Sequence, residues 1–237
     1  MWMKTSGNER LAQPHPIALW CLSVVWLLLI STELSLAEHV PYVGAIGGIA
    51  TLSADAGSQQ LPQGLNLSSY APVNGGALDA FAGGQLHNYF SVQGDFIWNR
   101  NSLRLNSSSS VNGAFYQEDR SSSQEAAIFS FLLYFRRRAS RIRPYLGVGT
   151  GLAHLSSASD RIVAIGGTPP LPPAKFSSTG PVLRSHVGID LTLVRQLDFR
   201  YSFSETIGHN EISDSLSPPG SRGLANFQNL FGLVFRF

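Results

Sequence analysis

Apolar and polar residues alternate along most of this chain, and the alternation is most regular in its last thirteen residues, 225–237. Successive side chains of a β-strand point to opposite faces, so a period of two predicts a strand with one apolar face. The other face of this segment is mixed. The large, mostly aromatic face consists of Phe227, Asn229, Phe231, Leu233, Phe235 and Phe237.

Seven further segments between Glu38 and this strand show the same alternation, and none shows a helical period over three turns. The sequence therefore predicts an all-β region of eight strands. Their predicted spans are Pro41–Leu52, Gly76–Leu86, Tyr89–Asn101, Gln124–Arg136, Arg143–Leu155, Thr179–Leu193, Gln196–Ile207 and Ala225–Phe237.

The predicted connections alternate between short turns and long loops. The long ones are rich in Ser, Gly, Asn and Pro, and they are Ser53–Gly75, Ser102–Ser123, Ser156–Ser178 and Gly208–Leu224. Short turns at one end and long loops at the other are typical of outer-membrane barrels. An even number of strands places both termini at the short-turn end, which is the periplasmic end in such barrels.

A soluble β-sandwich also alternates, so it is the alternative fold. The large apolar faces recur on nearly every strand, which favours a barrel whose outer face contacts lipid. Aromatic residues near the strand ends predict two girdles at the membrane interfaces. These residues are Tyr42, Phe90, Trp98, Phe135, Tyr145, Phe203 and Phe237.

Residues 1–37 have the layout of a secretory signal peptide. Lys4 and Arg10 precede the apolar run Ile17–Ile30, and the small residues Ser35 and Ala37 precede a cleavage site before Glu38. The run is about 14 residues long, shorter than the ~20 that a membrane-spanning helix needs. We therefore expect residues 38–237 to form the mature barrel domain, and an uncleaved anchor is the alternative.

Composition narrows the possible functions. Only 14% of the residues are charged, against ~25% in typical soluble domains. The net charge of +2 forms no extended basic patch, so no nucleic-acid partner is expected. The single cysteine, Cys21, lies in the predicted signal peptide, and the mature chain is therefore expected to have no disulfide and no cysteine-based site.

Three segments resemble the small outer-membrane β-barrel proteins of the OmpA-like and OmpX-like superfamily: Arg143–Leu152, Leu197–Phe203 and Asn229–Phe237. The resemblance implies an eight-stranded antiparallel up-and-down transmembrane barrel in the outer membrane of a Gram-negative bacterium. It also implies contact with outer-membrane lipid and lipopolysaccharide, and a monomer is expected. The last strand is similar to the signal read by the barrel-assembly machinery, carried here by Phe227, Phe231, Leu233, Phe235 and Phe237. No segment follows that strand, so a cell-wall tether is not expected.

An eight-stranded barrel has an interior just wide enough to be filled by side chains. Alternation places charges of both signs on the predicted inner face: Asp95, Arg184, Asp190, Asp198 and Arg200, with Arg236 as a further lumen or rim charge. Buried charges of opposite sign need each other as partners. We therefore predict a lumen charge network that plugs the barrel. One alternative is that some of these charges lie at the solvent-exposed rims of the barrel. Another is that the barrel is a narrow porin.

An enzyme is a further alternative, since some barrels of this class modify lipid A. His154 and Ser156 share a strand face, and such a pair can form an activated nucleophile. Lipid A deacylases carry a His-x-Ser-Asn motif on the penultimate strand. The corresponding segment of this chain, Phe203–Thr206, lacks that motif. The histidines are scattered and no phosphate-binding glycine motif is present, so no catalytic residue, metal or cofactor is expected.

Overall fold

The computed structural model describes residues 39–54, 59–60, 66–109, 115–165, 174–209 and 223–237. The predicted signal peptide, residues 1–37, lies outside this part of the chain. Among the described residues, no helix is long and apolar enough to cross a membrane.

Eight strands form the barrel, and each predicted strand is found. They are β1 (Val40–Ala54), β2 (Asn66–His87), β3 (Phe90–Ser109), β4 (Phe115–Tyr134), β5 (Ile142–Ile165), β6 (Lys175–Val194), β7 (Leu197–His209) and β8 (Gly223–Arg236). A two-residue strand, Gln59–Gln60, pairs with Leu67 and Ser68 near the beginning of β2.

All neighbouring strands pair antiparallel in chain order, and β1 closes the sheet by pairing with both β2 and β8. Ile46 of β1 lies opposite Asp79 on one side and Gly232 on the other. The predicted pairing of the first and last strands is confirmed, and the fold is a closed up-and-down barrel rather than a sandwich. Closure leaves no sheet edge in the barrel wall, as a strand-built wall in hydrocarbon requires.

The outer face of the barrel is apolar, because each strand turns its large apolar residues outward. Phe129 and Val148 are 57% and 53% exposed, whereas their inward neighbours Ser130 and Gly149 are buried. A soluble protein places such residues inside. The same outward orientation holds for Ile49, Leu78, Phe96, Trp98, Phe131, Leu146, Leu152, Leu183, Val187, Tyr201, Phe203, Phe231 and Leu233.

Several strands are longer than predicted. Strand β5 has 24 residues, although crossing a membrane requires only ~9–11 tilted residues. The predicted loop Ser102–Ser123 was wrong over most of its length, because Ser102–Ser109 and Phe115–Ser123 continue as paired strands. The predicted loops after β1 and β5 likewise contain strand, at Asn66–Gly75 and Ser156–Ile165. Serine is not among the residues enriched in strands, and strand preference depends strongly on the cross-strand neighbours, which are present here.

Two of the seven aromatic residues predicted for the girdles lie inside the barrel instead. Tyr42 and Tyr145 are 4% and 2% exposed. Each lies opposite a glycine of the neighbouring strand, Gly83 for Tyr42 and Gly188 for Tyr145, and a Cβ on that glycine would overlap the tyrosine ring. The small inward residues therefore leave room for the two tyrosines in the lumen.

Candidate functional site in the barrel interior

The interior of the barrel is strongly polar, because the inward positions of the strands carry the charged and amide side chains. Small apolar clusters, such as Ile97 with Ile128 and Val182, fill the space between them. In the described part of the chain the inward carboxylates are Asp79, Asp95, Glu118, Asp190 and Asp198, and the inward guanidinium groups are Arg120, Arg143, Arg184, Arg200 and Arg236. Opposite charges thus balance within the lumen.

Arg200 of β7 is the centre of the cluster nearest the short turns. Its Nε and Nη2 donate to the two carboxylate oxygens of Asp190 at 2.7 and 2.8 Å. Nη2 also donates to the Tyr134 hydroxyl at 2.9 Å, and that hydroxyl donates to Asp190 Oδ2 at 3.0 Å. On the far wall, Nη1 donates to Gln93 Oε1 at 3.1 Å. The two-point contact with Asp190 fixes the orientation of the guanidinium plane.

Aromatic rings surround the same guanidinium group. The Cζ atom of Arg200 lies 4.8 Å from the ring centre of Phe81, 5.0 Å from that of Tyr145 and 5.8 Å from that of Tyr42. Cations are attracted to the faces of aromatic rings within about 6 Å. These rings therefore stabilise a charge that is 2% exposed, and they fill the lumen around it.

Arg184 of β6 is the centre of a second cluster, further from the short turns. Its Nη2 donates to Asp79 Oδ2 at 2.8 Å, and its Nη1 lies 3.3 Å from Asp95 Oδ1. Asp95 also accepts hydrogen bonds from Gln93 Nε2 at 2.5 Å and from Ser130 Oγ at 2.6 Å. Gln93 contacts both clusters, so the two form one network.

A chain of neutral polar groups continues the network toward the long loops. Ser204 accepts a 3.4 Å hydrogen bond from Arg184 and donates to Gln228 Oε1 at 2.9 Å. Gln228 Nε2 donates to Asn99 Oδ1 at 2.8 Å. Gln124 Oε1 then accepts from Asn99 at 3.3 Å and from Asn226 at 2.7 Å.

Three of these hydrogen bonds connect walls that face each other across the barrel. In a ring of eight strands, β3 lies opposite β7, β2 opposite β6, and β4 opposite β8. The three bonds join Arg200 to Gln93, Arg184 to Asp79, and Asn226 to Gln124. Side chains therefore bridge the full width of the lumen at successive heights along the barrel.

Further ion pairs lie at the two ends of the interior. At the short-turn end, Arg236 Nη2 is 2.8 Å from Asp198 Oδ1. There Arg143 donates to Gln85 Oε1 at 3.1 Å and stacks 3.9 Å above the Tyr134 ring. At the other end, Arg120 forms a fully buried pair with Glu118 of the same strand and donates to Ser157 of β5.

The structure places all five predicted lumen residues on the inner face, each at most 4% exposed. It brings Asp95 to Arg184 and Asp190 to Arg200, whereas Asp198 pairs with Arg236. The predicted C-terminal residues lie on the outer side of β8. Phe231, Leu233, Phe235 and Phe237 are 39–65% exposed, and Phe227 is half-buried.

Four charged residues of the interior were missed by sequence reasoning. Asp79 and Arg143 lay within predicted strands, on the same faces as Phe81 and Tyr145, which the structure shows to be buried. The prediction of Tyr145 for an outer girdle concealed the inward face of Arg143. Glu118 and Arg120 fell in a predicted loop, so no inward face was assigned to them. Their alternation, with Asp119 between them on the outside, was the only available signal.

The residues considered for catalysis lie on the outer face of β5. The His154 Nδ1 and Thr179 Oγ1 atoms are 2.8 Å apart, and Ser156 is exposed. Among the described residues, no group of three or more His, Cys, Asp or Glu side chains is arranged to hold a metal ion. The sequence also places Glu211 and Asp214 near His209 in the predicted loop Gly208–Leu224, and these two carboxylates lie outside the described part.

The closed wall, apolar outer face and polar interior define the chain as a small β-barrel of the outer-membrane type. No protein-family model matches its sequence, and no curated protein does. Among solved structures, it resembles Neisserial surface protein A at 13% identity (TM-score 0.46, 83% of this chain and 97% of that chain). For the attachment invasion locus protein Ail of Yersinia pestis, the values are 12%, 0.41, 84% and 97%. For OprG of Pseudomonas aeruginosa they are 11%, 0.43, 85% and 96%. Because the sequence identities and TM-scores are this low, the class of the protein is assigned from its strand pairing and its two faces, and not from these comparisons.

Proposed function

We propose that this protein is an integral outer-membrane barrel with a lumen closed by its own side chains, and that it has a structural or surface-interaction role. The observation that carries the proposal is the set of hydrogen bonds between opposite walls, of which the one from Arg184 to Asp79 joins two charged groups. A solute moving along the lumen would have to break several buried, charge-assisted contacts. Breaking these contacts would leave buried charges without partners, which is strongly unfavourable, so passive diffusion is not expected.

Membrane location is tested by cell fractionation with gel migration before and after boiling. We expect the protein in the outer-membrane fraction, with a band that shifts on heating because the folded barrel resists detergent. Surface proteolysis of intact cells would distinguish exposed long loops from exposed short turns, and we expect the short turns to be periplasmic. A soluble periplasmic protein without a heat shift would refute the location.

Lumen closure is tested by single-channel recording in planar lipid bilayers. We expect no stable open steps of porin size from the wild type. The triple variant Arg184→Ala, Arg200→Ala and Asn226→Ala removes one partner of each bridge between opposite walls, and we expect it to conduct. The matched control, Arg104→Ala with Asp119→Ala, removes an ion pair on the outer face and should stay silent. Stable porin-sized steps from the wild type would overturn the plugged lumen.

A narrow water-filled pore is the second candidate, and a separate observation favours it. Arg184 Nε, His186 Nε2 and Thr206 Oγ1 have no hydrogen-bond partner among the described residues. Buried polar groups need partners, and water is the remaining one along β6 and β7. The same recordings distinguish this candidate, because a water file gives small cation or proton currents without porin-sized steps.

The composition of the outer face supports a location in the outer membrane. An apolar wall interrupted by few charges fits outer-membrane lipid and lipopolysaccharide, and we propose a monomeric, non-enzymatic barrel within them. The enzyme alternative has a direct test, which is lipid A acylation measured by mass spectrometry in cells expressing the wild type or Ser156→Ala. A change that depends on Ser156 would contradict the non-enzymatic role.

A further inference from the structure

Arginines are concentrated in the short turns of the barrel, and all of them are exposed except the half-buried Arg138. Arg136, Arg137, Arg138 and Arg141 lie in the connection from β4 to β5, and Arg195 lies in the turn from β6 to β7. The side-chain carboxylates described at this end do not compensate them. Asp190 and Asp198 are buried and already paired with Arg200 and Arg236, respectively. This end of the barrel therefore carries an excess of positive side-chain charge at its surface.

Three of these arginines line a surface pocket between the turns. Arg138, Arg141 and Arg195 share its wall with Asn88, Thr192 and Gln196. The side chains of the three arginines form no hydrogen bond or ion pair with other described residues. Arg137, by contrast, donates to the Tyr89 hydroxyl at 3.3 Å. The pocket thus offers several free guanidinium donors beside neutral polar groups.

Large apolar side chains border the arginines on the side of the barrel wall. Phe135, Val194 and Phe237 are 63%, 61% and 65% exposed, and Ile142 is 42% exposed. Phe135 directly precedes the arginine run, and Val194 directly precedes Arg195. The pocket therefore lies at the mouth of the barrel among the short turns, and Phe237, one of its lining residues, connects it to the apolar outer face.

We propose that this pocket binds the headgroup of an anionic glycerophospholipid, with its phosphate among Arg138, Arg141 and Arg195 and its acyl chains against the adjoining apolar wall. Guanidinium groups match phosphate oxygens with two donors each. The bordering apolar surface requires a ligand with an apolar part, which a free phosphate ion lacks. The inference rests on the proposed membrane location, and it identifies one lipid class that this end of the barrel selects.

The test is native mass spectrometry of the folded full-length barrel in detergent, titrated with phosphatidylglycerol or with phosphatidylethanolamine of the same acyl chains. The variant carries Arg138→Gln, Arg141→Gln and Arg195→Gln. The matched control carries Arg100→Gln, Arg161→Gln and Lys175→Gln, which removes the same charge from exposed positions toward the long loops. Gel migration with and without boiling shows that each protein is folded. A parallel titration with inorganic phosphate tests for a free anion.

We expect the wild type and the control to retain one phosphatidylglycerol in preference to phosphatidylethanolamine. We expect the pocket variant to bind phosphatidylglycerol at least about 10-fold more weakly than the wild type, since each basic residue near a membrane surface contributes attraction to anionic lipid. Equal binding of both lipids by the folded wild type, or an equal loss in the control, would overturn the inference while leaving the barrel intact. Inorganic phosphate that binds as tightly as the lipid would also overturn it.

Discussion

Arg184 Nη2 and Asp79 Oδ2 lie 2.8 Å apart across the barrel, although 105 residues separate them in the chain. Both side chains are about 1% exposed, and Asp95 provides the second carboxylate of the cluster. The charge on Arg184 therefore stabilises two buried carboxylates that would otherwise repel each other. This arrangement makes Arg184 the residue on which the middle of the lumen depends.

We predict that Arg184→Met destabilises the folded barrel more than Asp79→Asn. The methionine leaves two buried carboxylates without their cation, at a cost of about 3–5 kcal/mol. Asp79→Asn keeps an acceptor for Arg184, and Asp95 remains as its ion-pair partner, so about 1–3 kcal/mol is expected. The measurement is reversible urea unfolding in lipid vesicles. The control is Arg104→Met at an exposed ion pair, which should leave the midpoint unchanged. Equal effects of Arg184→Met and its control would contradict the lumen cluster.

Sequence parity identified the inner face but not the partners on it. Alternation along β6 and β7 was enough to predict that Arg184, Asp190 and Arg200 point into the lumen. The partner of each charge depends on which strands face each other after closure and on the stagger between them. Asp198 illustrates this limit, because it pairs with Arg236 of the neighbouring strand.

The strand ends were the least predictable part of the fold. The serine-rich segments Ser102–Ser109 and Phe115–Ser123 have the composition of loops, yet they pair with each other as a continuation of β3 and β4. Cross-strand contacts accompany the pairing, among them the hydrogen bonds from Arg104 to Asp119. The composition of a single segment does not show which residues will lie opposite it, so it could not predict these strand extensions.

We predict that Gly147→Ala destabilises the barrel through His186. A Cβ at Gly147 would overlap the His186 imidazole inside the lumen. Overpacking of this kind costs about 1–3 kcal/mol. In the double variant Gly147→Ala with His186→Ala, the overlap is removed, so part of the lost stability should return. Gly94→Ala is the matched control, because no atom lies within 4 Å of its added Cβ. Urea midpoints that are additive in the double variant would refute the proposed clash.

We predict a pH-dependent contact on the outer extension of β3 and β4. The hydrogen bond from Arg104 lowers the pKa of the Asp119 carboxyl below its ordinary value. The contact therefore favours the folded extension above the unfolded pKa of about 3.9, and this contribution is lost as the pH falls through the lowered folded pKa. Carboxyl carbon NMR titration should place the Asp119 pKa below the ordinary range, and Arg104→Gln should return it there. High salt should weaken the shift, because the pair is exposed. An Asp119 pKa that is the same in both proteins would contradict the contact.

We predict that Phe237 matters more for assembly in cells than for stability. Its side chain is 65% exposed, and its ring contact is with Phe235 at 5.2 Å. Phe237→Ser should therefore reduce the heat-modifiable fraction in outer membranes severalfold, while refolding of the purified variant into vesicles stays near wild type. Phe129→Ser, at a similarly exposed outer position on β4, is the control and should assemble normally. An equal defect in both variants would indicate a general effect of lost apolar surface.

The outer face of β5 allows the membrane depth of the barrel to be measured with one kind of substitution. Val148 and Ser156 both point outward and are separated by eight residues, or about 26 Å along a strand. Arginine at the middle of a lipid-facing wall costs about 2–4 kcal/mol, and the cost falls to about 0–1 kcal/mol near the interface. We predict that Val148→Arg lowers the free energy of unfolding in lipid vesicles by the larger amount and Ser156→Arg by the smaller one. The same two variants in short-chain detergent should differ less, since the detergent layer deforms around a charge. If Val148→Arg is tolerated as well as Ser156→Arg in vesicles, the apolar band of this barrel does not face hydrocarbon.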